Sequence, residues 1–152
     1  MKKAAGILLY RKGANGIEVF AAHQGGPFFA NKERSWTFPK GEYDDSEDAW
    51  DAARREFKEE TAHEAPTEGF ELTSFVQNGR KHVRMWAAEG DADPAQVKSN
   101  HFEIEWPPRS GKKQSFPEMD RAAWFTPEEV KKVIREDQQA LVDELLERLE
   151  HE

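Results

Sequence analysis

Glu56, Glu59 and Glu60 lie at positions i, i+3 and i+4 of the run GEYDDSEDAWDAARREFKEETAH, which covers residues 41–63. If that run is helical, the three carboxylates share one face and repel, each close like-charged pair costing a few tenths of a kcal/mol. A hard divalent cation removes the repulsion. Mg²⁺ or Mn²⁺ takes oxygen ligands, keeps several waters and accepts the phosphate oxygens of a substrate. The competing reading is a solvated acidic face, with Arg54 and Arg55 as surface ion-pair partners of little energetic weight. The other side of the segment favours a fixed cluster: Ala49, Ala53 and Phe57 recur four apart beside Trp50 and would anchor the helix to a core. Asp44, Asp45 and Ser46 offer capping oxygens ahead of a helix expected from about Ser46 to about Thr61.

The rest of the composition limits what such a cluster can serve. The chain has 152 residues, with 22 basic and 30 acidic side chains, and no cysteine. That length suits one domain, 1–152, and the lack of cysteine excludes disulfide scaffolds and thiolate metal sites. A net charge of −8 argues against a general binder of nucleic acid polymers, which must neutralise many phosphates. The longest apolar run, Ala4 to Tyr10, is too short for a bilayer span, and no secretory leader opens the chain. The expectation is therefore a soluble cytoplasmic protein without membrane contact. Monomer and homodimer fit the sequence equally.

The elements that must position the acids can be read on either side of them. Lys2–Tyr10 and Gly16–His23 read as a hairpin around RKGAN, followed by an extended WTFPKG segment. Phe70–Gln77 and Lys81–Glu89 flank Asn78-Gly79, a strong two-residue hairpin signal. From Gly90 to Asp120 a long polar loop is expected, with HFEIEW as a strand at an edge, and then a short strand Ala122–Phe125. Thr126-Pro127-Glu128-Glu129 forms a capping box, opening one final helix striped by Val130, Ile134, Leu141, Leu145 and Leu149. Such an order predicts an α/β (α+β) domain, a mixed sheet with helices packed on it.

Gly41, Glu47, Arg55, Glu56, Phe57, Glu59 and Glu60 also fall in register with a known signature: the segment resembles a Nudix box. It departs at Ala62, where the family has glycine, and at His63, where it has an apolar residue. AAGILLY, EVFAAH, WTFPKG and MDRAAWF resemble the framework of the same family, in particular MutT-like bacterial nucleoside-triphosphate pyrophosphohydrolases. WTFPKG also resembles diadenosine-polyphosphate hydrolases. The resemblance implies a mixed β-sheet sandwiched between helices and a Mg²⁺-dependent (or Mn²⁺-dependent) hydrolysis of a pyrophosphate link in a small nucleotide substrate. It implies metal ligation by Glu56, Glu60, Glu59 and the Gly41 carbonyl, with Arg55 holding a carboxylate of the box and Glu47 serving the helix start.

The general base is open between Glu59 and the loop acids Glu103, Glu105 and Glu118; among the loop acids the resemblance favours Glu118, which precedes MDRAAWF, where a nucleotide-sanitising branch of the family places an acid near the base. Phosphate contacts are expected from the flanking cations Lys40, Arg34, Arg84, Arg80 and Lys81, and from the loop group Arg109, Lys112 and Lys113. Trp36, Phe28, Phe29, Trp86 and Trp106 are candidate stacking platforms, while Trp50 and Trp124 are expected in the core. Two other classes compete: a Nudix-fold module that binds nucleotide without turnover, and an interaction domain whose acidic helix takes Ca²⁺. The intact trio of glutamates speaks against the first. Its helical setting speaks against the second, because calcium loops gather ligands on irregular backbone.

Overall fold

A computed structural model describes residues 1–151. The apolar run near the start explains the centre of the fold. In β1 (Lys2–Gly13), Ala4, Leu8 and Tyr10 enter one core and Ala5, Ile7 and Leu9 enter another, so both faces of this strand are covered. Around it lie β2 (Gly16–Gln24), β3 (Trp36–Thr37), β4 (Lys40–Tyr43), β5 (Phe70–Glu71), β6 (Phe75–Gln77), β7 (Lys81–Glu89) and β10 (Met119–Phe125). The main path of the sheet is β10-β2-β1-β7-β5, with β3 on β2, β4 on β1 and β6 on β7. Strand β1 runs parallel to β7 and antiparallel to β2 and β4, so the sheet is mixed.

Helix α1 (Ala49–Thr61) packs on one face of this sheet, burying Ala49, Ala52, Ala53 and Phe57. Helices α2 (Pro127–Val133) and α3 (Gln139–Glu150) cover the other through Val130, Leu141, Val142 and Leu145. The sandwich of helices about a mixed sheet is thus as expected, and both halves of the Thr126 capping box are formed. Among the described residues no helix is long and apolar enough to cross a membrane.

Four local expectations are corrected. The helix cap is Asp48, which accepts from the backbone N–H groups of Trp50 and Asp51, while Asp44 closes a turn onto Ser46. The first hairpin ladder runs on to Gly13 and Gly16, so its turn is shorter than RKGAN. The stretch from Gly90 to Asp120 is no plain loop: β8 (His101–Glu105) and β9 (Lys113–Pro117) pair into a separate two-stranded arm. The final helix is broken between α2 and α3 because Arg135 donates its backbone N–H to the Trp36 carbonyl instead of continuing the helix. A 3₁₀ turn (Glu136–Gln138) follows, and the buried Gln138 accepts from the backbone N–H of Phe38 at 2.9 Å. Trp50 and Trp124 sit at the rim of the core, Trp50 against Trp86 and Trp124 against Phe20.

Ala62 ends α1 in the left-handed region, with φ 63° and ψ 17°. A Cβ in that region costs roughly 1–2 kcal/mol, part of which glycine returns through its freer unfolded chain. Ala62→Gly should therefore stabilise the fold by about 1 kcal/mol, read as a higher urea midpoint with an unchanged slope. A lowered midpoint would show that the methyl group contributes packing that outweighs the strain.

Candidate active site

Helix α1 turns Arg55, Glu56, Glu59 and Glu60 towards β4, and the sheet on its other face keeps the helix from rotating. Arg55 is the hub of the exposed side. Its Nε donates to Glu47 Oε2 at 3.0 Å, and its Nη1 donates to Glu56 Oε1 at 2.8 Å and Glu59 Oε2 at 3.2 Å. One guanidinium thus holds three carboxylates, including the first of the box at the start of the helix.

Depth separates the glutamates. The Glu59 side chain is 42% exposed and that of Glu56 13%, whereas Glu60 as a residue is 2% exposed. Gly41 in β4 is the reason Glu56 fits: a Cβ at that position would overlap the Glu56 carboxylate. Burial raises the Glu56 carboxyl above its ordinary range, against the pull of Arg55. Glu60 is raised much further, first by burial and then by the charge of Glu56, with Lys40 opposing. One of its oxygens, Oε2, is buried without a hydrogen-bond partner. A buried charge so poorly satisfied is unfavourable unless something compensates it.

These residues open into a cleft of ≈ 470 Å³. Its acidic groups are Glu56, Glu59 and Glu60 from α1, Glu42 from β4, and Glu118 from the turn between β9 and β10. Lys40 and Lys81 line it from β4 and β7, Lys81 paired with Glu42 at 2.9 Å, and Gln24, Thr37, Asn100, Phe29, Phe102 and Met119 lie around them. Lys40 has its pKa lowered to about 8, by burial first and then by Lys81 and Arg135. Glu118 is raised by partial burial and by Glu59. Its backbone is pinned on both sides, the N–H donating to Asn100 O and the carbonyl accepting from Gly25 N, each at 2.8 Å. A bulge in the β10–β2 ladder directly after it re-aims the chain at this point.

The donor set suits a hard cation. Among the described residues no three acidic or histidine side chains form a ready-made cage, and Glu56 and Glu59 are instead bonded to Arg55. Magnesium does not need one: it is commonly held by one or two carboxylates, with waters and substrate phosphates filling the other positions. Glu60 with its unpaired oxygen, and Glu56 beside it, could supply that minimum, and Gly41 and Glu59 line the same cleft.

Other residues singled out in the sequence lie elsewhere. Arg34 donates to the carbonyls of Lys131 and Ile134, at 2.9 and 3.1 Å, and does not line the cleft. Arg84 is locked in a two-pronged pair with Glu71, its guanidinium over Trp86. Trp36 is packed edge-on between His23 and Phe125. These three are outside the cleft because each already has structural partners. Glu103 and Glu105 point off the exposed side of the arm, and Arg109, Lys112 and Lys113 stand near its far turn. Arg80 lines an adjoining groove with Lys2 and Lys81. Conversely, Gln24, Thr37, Asn100 and Phe102 are cleft residues that the sequence reading passed over. For Phe102 a signal existed: its alternation with Ile104 in HFEIEW marks an inward face.

His63 is also accounted for. It holds the end of α1 to the loop after β7, with Nδ1 on the Thr61 carbonyl at 2.8 Å and Nε2 accepting from Asp93 N at 3.1 Å.

Comparison with known proteins gives the same outline. The NUDIX domain family matches residues 1–145. The asymmetrical bis(5'-nucleosyl)-tetraphosphatase of Caenorhabditis elegans is 35% identical over 114 residues, covering 68% of this chain and 77% of that protein. Among solved structures, an Ap4A hydrolase binary complex from C. elegans superposes with a TM-score of 0.71 and 25% identity, over 100% of both chains. A mutT/nudix family protein from Listeria innocua superposes at 0.64 with 17% identity over 99% of this chain and 94% of its own, a likeness of fold. With the box helix, the sheet, α2 and the first half of α3 inside the matched span, the chain belongs to the Nudix family.

Proposed function

We propose that the protein hydrolyses the pyrophosphate link of a nucleoside triphosphate or another nucleoside diphosphate-X compound, releasing a nucleoside monophosphate, with Mg²⁺ (or Mn²⁺) held by Glu56 and Glu60. Glu59 and the Gly41 carbonyl are the supplementary ligands. The observation that carries this reading is Glu60: a buried carboxylate with one oxygen unpartnered, beside Glu56, in a cleft that also holds two lysines. A bound cation supplies neutralisation of the phosphate charge and a lowered pKa for a coordinated water.

The protein's own side chains do the rest. Arg55 fixes the carboxylates of the helix and keeps their mutual repulsion within bounds. Lys40 and Lys81 receive phosphate oxygens, and an arriving phosphate offsets the burial that depresses Lys40. Glu118 is the general base: its carboxyl lies at the cleft on a clamped backbone, and its raised proton affinity suits it to take a proton from the attacking water.

A second reading, asymmetrical cleavage of dinucleoside tetraphosphates, is favoured by the 35% identity to the C. elegans tetraphosphatase. A groove lined by Lys2, Arg80 and Lys81 adjoins the cleft at Lys81, and Glu42 lines both hollows, paired with Lys81 at 2.9 Å and with Lys2 at 3.7 Å.

The test is turnover of nucleoside triphosphates, dinucleoside polyphosphates, ADP-ribose and NADH with Mg²⁺ or Mn²⁺, products resolved by phosphorus NMR. Metal-dependent release of a nucleoside monophosphate is expected from at least one, and diadenosine tetraphosphate should yield AMP and ATP if the second reading holds. Glu60→Gln should keep the fold and slow turnover more than tenfold, over ~1.4 kcal/mol in barrier; an unchanged rate would remove Glu60 from the site. A second readout needs no catalysis. Without metal, Glu60→Gln should melt no lower than wild type, since it replaces a buried acid whose ionised form burial and Glu56 disfavour. Saturating Mg²⁺ should raise the Tm of wild type and leave that of the variant nearly unmoved; equal shifts in both would place the cation elsewhere.

A further inference from the structure

The β8–β9 arm has no part in the chemistry proposed above, yet it is built against the cleft. At its root Gly25 lets the chain pass close to the arm, since a Cβ there would overlap the Pro117 carbonyl; at Gly26 it would press on the tip of the Phe102 ring. Phe28, in the same loop, meets Trp106 edge-on, with ring centroids 5.6 Å apart. Within the arm Phe102 pairs with Phe116, centroids 6.1 Å apart, so its ring is backed from the second strand. These contacts fix the arm at both ends, and the consequence is that Phe102 lines the cleft together with Phe29.

The cleft is therefore divided by origin. Its cations come from β4 and β7, whereas its aromatic surface comes from the arm and the loop after β2. Two amides complete the aromatic part: Asn100, next to the arm, and Gln24, at the end of β2. Gln24 carries a side-chain oxygen that is buried without a partner. Flat rings beside two amides, one with an oxygen lacking a partner, are suited to a nucleobase, which stacks through its π-face and presents N–H donors and acceptors at its edge. Phosphate oxygens, which only accept, do not satisfy an amide oxygen.

We propose that Phe102 and Phe29, with the amides of Gln24 and Asn100, form the base subsite, and that the arm confers the preference for a nucleotide over a bare polyphosphate. The subsite rests on the pyrophosphate reading only for the place of the phosphates, at Lys40 and the glutamates.

Binding separates the two ideas. The probes are the bis-methylene analogue of ATP, which has no hydrolysable bridge, and the same triphosphate chain without the nucleoside, titrated calorimetrically in the presence of Mg²⁺. Wild type should bind the nucleotide at least tenfold more tightly than the base-free chain. Phe102→Leu, which retains apolar packing against Gly26 and Phe116, should lose most of that preference with its affinity for the base-free chain unchanged. A tenfold preference that survives in Phe102→Leu, or none in wild type, overturns the subsite. Turnover of ATP by the same wild-type sample is scored separately: its failure alongside an intact base preference would sink the pyrophosphate reading and leave the base subsite standing.

Discussion

A carboxylate shut into a protein with an oxygen facing no donor is a constraint around which the remainder of this fold is arranged. Glu60 is in that position, and its neighbour Glu56 adds repulsion to the desolvation. Such a pair persists only where packing over-determines it and where a functional partner arrives to compensate. Here the packing comes from the opposite face of α1, where Ala52, Ala53 and Phe57 are completely buried against the sheet. Arg55 supplies partial compensation on the outer side, reaching Glu47, Glu56 and Glu59 but making no bond with Glu60. The gradient from rim to interior leaves the deepest acid without a basic side chain bonded to it, which is why the proposed cation is assigned there.

The sheet converts that local arrangement into a cleft. Strand β4 is short, yet its pairing with β1 brings Gly41 against the helix and places Lys40 beside Glu60. Gln138, inserted at the break between α2 and α3, accepts from Phe38 and so ties the segment leading into β4 to the second helical layer. Positive and negative groups of the cleft are in this way carried by α1, β4 and β7, elements anchored to the two cores, which is how an acidic chain brings lysines and carboxylates to one cleft.

Much of this was legible in the sequence where the signal is local. The spacing of Glu56, Glu59 and Glu60 against Ala49, Ala53 and Phe57 specifies a helix with one acidic and one apolar face, and Asn78-Gly79 specifies its hairpin. Signals that depend on distant partners were not legible. The stripe from Val130 to Leu149 reads as one helix, because nothing local reveals that the Arg135 N–H belongs to Trp36. Arg34, Arg84 and Trp36 have the right chemistry for a ligand and are instead held by carbonyls, a carboxylate and aromatic rings. Strand β9 is mostly exposed, so its polar sequence KQSFP hides the partner that makes HFEIE a hairpin and brings Phe102 to the cleft. Asp48 outcompetes Asp44 as a cap because only one of several adjacent oxygens can meet the first free N–H groups of the helix.

The measurement that bears most directly on the role of Glu60 is a crystal structure with Mn²⁺ and a non-hydrolysable nucleotide, read by anomalous scattering. An anomalous peak at about 2.0–2.2 Å from an oxygen of Glu60, shared with Glu56 and a phosphate oxygen, is the predicted result. A nucleotide bound in the cleft with no metal peak at Glu60, its carboxylate still unpartnered or turned to Lys40 instead, would contradict the account.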